Sequence, residues 1–314
     1  MESTINILND QLLGQKPLIE EHLQKGTHQL SSFSFPSIFL WKDYFDFSIQ
    51  TIDGHLCLFA KHDLGTFLYL PPLGRQLSKN AVEKCFAAME LANKGSGVSR
   101  IENVEEQDLS FFPKDEYTIF KKCGEYIYDK KDLGFFEGNR FKSKRSSYNQ
   151  FVKNNRYEYR PFEIKMREDC LSLFDRWAAK RASGNTDEIY RQMLLENRTV
   201  HELAMRYSQE LGLVGRVVLV DGLIKGYTFG YPLNDDMFCV LFEITDLSVK
   251  GLSVFIFREF YNDPALESYQ LINAMDDFGL ENIRKTKLSF RPKKIIPAYV
   301  ISKKNNLKPG PAPA

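Results

Sequence analysis

What this chain of 314 residues has little of narrows its class quickly. Its five cysteines (Cys57, Cys85, Cys123, Cys170 and Cys239) are odd in number, far apart, and form no C-x-x-C pair. That pattern argues against a disulfide framework and a cysteine zinc site, and it suits a reducing compartment. Neither charge sign dominates: 42 Lys and Arg stand against 41 Asp and Glu, leaving +1. Any phosphate or nucleic-acid contact must therefore come from local patches. No apolar run approaches the ~20 residues that span a bilayer. The opening MESTINILNDQLL has acids and no cationic region, so no signal peptide is expected and we read the chain as cytoplasmic. The five histidines are scattered, none beside a Ser or Cys in a nucleophile elbow. We expect neither a metal nor a cofactor.

What is present is ample apolar material, 43% hydrophobic and 13% aromatic residues, enough for real cores. The length suits two domains of about 150 residues. A first helix is expected over 16–25. The cluster Phe35, Phe39, Trp41, Tyr44, Phe45 and Phe47 after it reads as packing under a sheet. Strand patterns at 46–52, 56–61 and 66–70 follow, with Asp53-Gly54 as a two-residue hairpin signal. Ser78 caps a helix to Asn93. A strand at 99–102, an acidic short helix at 105–111 and strands at 117–120 and 125–128 close the first half.

The second half repeats this plan. A strand is expected at 157–162, helices at 167–181, 187–197 and 200–211, and strands at 213–220, 223–231 and 237–245, with a second hairpin signal at Asp221-Gly222. A helix from Gly251 to Tyr261, a strand at 269–273, a short helix at 280–286 and a strand at 299–302 complete it. The order suggests a duplicated α/β (α+β) unit: two tandem acetyltransferase (GNAT)-like domains, each a mixed central sheet flanked by helices. We place the N-terminal domain at 1–135, a basic connecting helix at 136–156, the C-terminal domain with the site at 157–304, and a disordered tail at 305–314.

The connecting helix carries Arg140, Lys142, Lys144, Arg145, Lys153 and Arg156, with Tyr148, Phe151 and Val152 at helical spacing. It reads either as an anion dock or as a solvated linker with a buried stripe. In an acetyltransferase, the pyrophosphate of acyl-CoA rests on a glycine-rich loop before a helix. The corresponding stretch, Asp246 to Ser253, has one glycine and an acid, so coenzyme A is disfavoured. Glu243 stands in the apolar run CVLFEIT, either paired structurally or lining a cleft. Tyr227, on the preceding strand, is expected to share its face, with packing as the competing role. Asn273 and Asp276 follow a strand end, and six cations lie within residues 284–294.

Lys142-x-Lys144-Arg145 with Asn149-x-Phe151, Tyr157-Glu158-Tyr159-Arg160-Pro161, Tyr231-Pro232-Leu233-Asn234-Asp235-Asp236, Asn273-x-x-Asp276-Asp277-x-Gly279 and Arg284-Lys285-x-Lys287-Leu288-Ser289-Phe290-x-Pro292 together resemble the phosphatidylglycerol lysyltransferase C-terminal domain family. The resemblance implies tandem acetyltransferase folds that take an amino acid from aminoacyl-tRNA and esterify a lipid headgroup. Two departures from that family are expected: no membrane-spanning half, and Ser146-Ser147 after the basic motif.

On this reading the partners are aminoacyl-tRNA and a small-molecule, lipid-headgroup or peptide acceptor, and peripheral membrane contact stays open. Glu243, Lys287 and Tyr227 are the catalytic candidates, with Glu243 and Lys287 acting as a unit. Lys142, Lys144, Arg145, Asn149, Asn273, Asp276, Lys285 and Arg291 are the substrate-binding candidates. The alternatives are a CoA-dependent N-acyltransferase and a non-catalytic anion- or RNA-binding module.

Overall fold

The computed structural model describes residues 9–183 and 188–304, so the expected tail and the start of the helix at 187 lie outside the described residues. A turn of 3-10 helix, Asn9–Gln15, leads into α1 (Lys16–Leu23). The aromatic stretch then forms a helix of its own, α2 (Phe35–Leu40), every residue of it buried. Ser34 caps it by accepting from the Ser37 N–H at 3.2 Å, and Pro36 in the first turn has a fixed backbone angle that suits a helix start.

The hairpin of β1 (Asp46–Ile52) and β2 (His55–His62) forms where Asp-Gly predicts it. Asp53 and Gly54 take φ of 49° and 75°, the pair of positive angles a type I′ turn needs. After β3 (Gly65–Leu68), α3 (Lys79–Ala92) is capped by Ser78. It buries Val82, Phe86 and Met89 against Phe59, Leu68 and Ile101. Then come β4 (Ile101–Val104), the acidic 3-10 turn Glu106–Phe111, and β5 (Tyr117–Asp129), one strand where two were expected.

Next are α4 (Lys130–Phe135), the 3-10 turn Asn139–Phe141, the basic helix α5 (Lys142–Asn154), β6 (Tyr157–Pro161) and α6 (Arg167–Ala182). A single helix α7 (Glu188–Arg206) replaces the two expected. The polar Asn197-Arg198 pair does not break it: Asn197 Nδ2 donates to the Met193 carbonyl one turn back, and Arg198 grips Asp175 of α6 at 2.7 Å. The meander β7 (Val214–Val220), β8 (Leu223–Pro232) and β9 (Met237–Thr245) turns at Asp221-Gly222, again with two positive φ angles. It is followed by α8 (Leu252–Tyr261), the three-residue β10 (Leu271–Asn273), α9 (Glu281–Ser289) and β11 (Lys294–Lys303).

The chain resolves into two compact units. Of the described residues, the first takes those up to Glu125, residues 276–279 and those from Ile295 to 304; the second takes those within 126–275 and 280–294. The last strand, expected with the second half, thus belongs to the first unit. Strand order is β1-β2-β3-β4-β11-β5 in the first unit and β5-β10-β9-β8-β7-β6 in the second, β5 contributing its Tyr117–Glu125 and Tyr126–Asp129 ends respectively. Two mixed α/β units are what the tandem acetyltransferase plan requires. Among the described residues no helix is long and apolar enough to cross a membrane.

Candidate active site

In the second unit, β9 is paired along its length with β8 but meets the short β10 only at Met237–Cys239. Its edge from Val240 to Thr245 is therefore without a β10 partner, and Glu243 sits on that stretch. A register shift lies between Phe229 and Gly230: Phe229 is opposite Phe242, Gly230 is opposite Val240, and Leu241 is the extra residue of a bulge. Because side chains alternate, the extra residue turns Glu243 to the face that Phe238 and Val240 occupy, against α8, while Phe242 and Ile244 face α6.

Gly230 is required here. A Cβ on it would lie 2.3 Å from the Phe238 ring and 2.4 Å from the Cys239 carbonyl oxygen.

The same register separates Glu243 from Tyr227, contrary to expectation. Glu243 is opposite Thr228, so Tyr227 points through the other face. It is fully buried there and shares a 2.8 Å hydrogen bond with His201 Nδ1. His201 is stacked on Phe242 at 3.7 Å, and burial lowers it to about 3. That pair is sealed core, not cleft.

Nor is Lys287 the cation that acts on Glu243. Its ammonium donates to the carbonyls of Ala274 and Met275, just past the end of β10, and lies over the Tyr126 ring at 5.7 Å. It holds the backbone where β10 stops. Asn273, fully buried, does similar work by accepting from the Met275 N–H at 2.7 Å.

The cation that acts on Glu243 is Lys144. Lys144, Tyr148 and Phe151 share one face of α5 at i, i+4 and i+7. Phe151 and Tyr148 pack on Phe255 of α8 at 4.5 and 5.6 Å, which aims Lys144 toward the end of α9. Its ammonium donates to Ser289 Oγ at 2.8 Å and stands 3.7 Å from the Phe290 ring centroid. Burial lowers Lys144 to about 8, against the upward pull of Glu243. Burial raises Glu243 to about 8, against the downward pull of Lys144. Among the described residues Glu243 accepts no hydrogen bond and forms no ion pair. An acid and a base are thus poised near neutral pH beside an open strand edge.

The remaining candidates divide between surface and scaffold. Arg145 Nη1 donates to the carbonyls of Phe136 and Gly138, the latter at 2.6 Å, and so braces the turn before α5. Phe136 and Gly138 hold φ of 50° and 79°, and the Gly138 carbonyl also accepts from the Phe141 N–H at 3.3 Å. Lys142, Asn149 and Arg291 are exposed, and Lys285 is exposed beside Glu281 at 3.6 Å. Asp276 belongs to the segment grouped with the first unit, accepts from the Phe278 N–H at 3.3 Å, and acts on the Cys123 thiol.

The start of α8 is closed to the usual anion. Asp246 pairs with Lys225 at 2.8 Å and accepts from Ser248, contacts that outweigh burial and hold it near 2. A Cβ on Gly251 would lie 2.3 Å from the Ser147 carbonyl oxygen, so α5 backbone covers this helix end. Phe257 and Tyr261 of α8, which join the Phe290 side of the site, were not singled out from sequence. The signal was their spacing, one helical turn apart. Among the described residues no group of His, Cys, Asp and Glu is placed to hold a metal ion.

Three solved structures share the fold. A conserved protein of unknown function from Bacteroides thetaiotaomicron is 26% identical, with a TM-score of 0.83 over 96% of this chain and 100% of that one. The C-terminal DUF2156 domain of a protein assigned as a lysylphosphatidylglycerol synthetase from Agrobacterium fabrum is 14% identical, with a TM-score of 0.65 over 94% and 92%. L-PGS from Bacillus licheniformis is 16% identical, with a TM-score of 0.63 over 93% and 93%. No curated protein matches the sequence. A family model described as phosphatidylglycerol lysyltransferase, C-terminal, matches residues 25–302, and the chain belongs to that family.

Proposed function

We propose that the second unit transfers an aminoacyl group from aminoacyl-tRNA to a nucleophilic acceptor bound beside β9. Family membership supports an acyl- or aminoacyl-transferase. The observation that carries the finer reading is Glu243: an unpaired carboxyl on the unpartnered edge of β9, raised to about 8, with the ammonium of Lys144 acting on it.

An aminoacyl ester is already activated, so the protein has to position it, stabilise charge and move one proton. The acceptor hydroxyl or amine attacks the ester carbonyl while Glu243 takes its proton. Lys144 stabilises the negative charge that develops on the carbonyl oxygen. Collapse breaks the bond to the ribose oxygen, which leaves as the tRNA hydroxyl and receives the proton back from Glu243. Lys142 and Arg291 on exposed surface, with Lys285, supply cations for the nucleic-acid backbone.

An acyl-CoA donor is the weaker reading, because Asp246 and the covered start of α8 stand where its pyrophosphate would be held. The test is a single-turnover assay with bulk tRNA charged with labelled amino acids, scoring loss of the tRNA ester and transfer to added lipid, peptide and amine acceptors. We expect turnover by the wild type and a loss of a hundredfold or more in Glu243→Gln, the size of a general-base contribution. Equal rates for the two proteins would sink the proposal.

A further inference from the structure

Tyr261 ends α8 and is 1% exposed, yet its hydroxyl has no hydrogen-bond partner. Buried polar groups nearly always have one, so an orphan asks for an explanation. Several polar groups of the same region are already engaged, whereas Glu243, which acts on Tyr261, has no hydrogen-bond partner among the described residues. Tyr128 donates to the Lys287 carbonyl at 2.9 Å, Thr228 to the Phe242 carbonyl at 3.1 Å, and Tyr148 to Glu259 at 2.7 Å.

A row of rings connects Tyr261 to the site. Tyr261 meets Phe257 edge-on at 4.3 Å, Phe257 stacks on Phe290 at 3.8 Å, and Phe290 lies beneath the Lys144 ammonium. Val240, on the Glu243 face of β9, is in the same core cluster. Burial, then the nearby Tyr128 and Glu243, keep Tyr261 protonated and hence able to donate.

We propose that Tyr261 contacts the substrate directly, its hydroxyl donating a hydrogen bond to the carbonyl oxygen of the acyl group bound between Lys144 and Glu243. Two donors, Lys144 Nζ and Tyr261 Oη, and one acceptor, Glu243, then converge as carbonyl addition requires: donors for the oxygen that gains charge, an acceptor for the nucleophile's proton. The inference deepens the transfer reading and rests on it for the identity of the acyl group.

The Tyr261→Phe variant of the full chain separates roles cleanly, because it removes only an atom that bonds to nothing in the protein. Melting temperature, binding of a panel of amino-acid hydroxamates as carbonyl probes, and aminoacyl-tRNA turnover are measured side by side with the wild type. We expect an unchanged or higher melting temperature, with hydroxamate affinity and turnover each lowered about tenfold, the worth of one hydrogen bond. Hydroxamate affinity within twofold of the wild type would overturn the proposal, and so would a wild type that binds no hydroxamate. A melting temperature several degrees lower would overturn it too, since the hydroxyl would then have an internal partner. If hydroxamates bind in a Tyr261-dependent way but no aminoacyl-tRNA is consumed, the donor reading fails and the Tyr261 contact stands.

Discussion

Glu243 illustrates how far a single side chain departs from its ordinary chemistry when its strand edge is left open. Burial holds its proton until about pH 8, whereas in the unfolded chain it is released near the usual carboxylate value. The folded state therefore loses stability as pH rises from about 4.5 to about 8, because only the unfolded chain gains the favourable ionisation. Glu243→Gln removes that loss. We expect it to match the wild type in stability near pH 4 and to exceed it by about 1–3 kcal/mol at pH 7, read from urea midpoints across the range.

Lys144 leads to a second residue-scale prediction. Its charge draws the Glu243 carboxyl downward, so Lys144→Gln moves the Glu243 value further up. The rising limb of the pH-rate profile, expected near pH 8 in the wild type, should shift to higher pH, with the apparent values belonging to the pair. A rising limb that stays in place would show that Lys144 does not act on Glu243.

At the scale of the element, the bulge in β9 decides which face of the sheet carries the chemistry. Shifting a strand by one residue exchanges its two faces, so CVLFEIT read with strict alternation puts Glu243 with Cys239 and away from Val240. Leu241 reverses this, and Gly230 is the residue that lets the partner strand close over it. Gly230→Ala would push a methyl into the Cys239 carbonyl oxygen, which cannot rotate away. We expect a cost of about 1–3 kcal/mol in a urea titration, with activity falling further than stability as Glu243 loses its orientation. The α5 helix is legible in outline, its Tyr148 and Phe151 stripe predicting a buried face. Its cations are not equivalent, however: Lys144 is drawn inward by that face, Arg145 is spent on two turn carbonyls, and Lys142 stays in solvent.

For the molecule as a whole, near-neutral net charge confines nucleic-acid binding to patches. In the second unit, contact between Lys144 of α5 and Ser289 of α9 brings the two basic stretches of the sequence together. If tRNA binds there, Lys142→Ala with Lys285→Ala and Arg291→Ala should flatten the dependence of log K on log salt by roughly two to three units, just under one per lost phosphate contact. Filter binding over a salt series measures it, and parallel lines for variant and wild type would remove these residues from the footprint.

Legible from the chain alone were the mixed α/β class, both Asp-Gly hairpins, the capped helix α3, the basic helix and the unusual place of Glu243. These depend on periodicity, turn angles and caps, which are properties of a few neighbouring residues. Long-range packing was needed to show that Glu243 is acted on by Lys144 and not Lys287, that Tyr227 is bonded to His201 on the far face, and that Tyr261 is left with an unused hydroxyl. Each depends on register and on which distant segment supplies the partner. A bulge of one residue exchanges the faces of a strand, and a lysine reaches whichever carbonyls or carboxylate the packing presents to it.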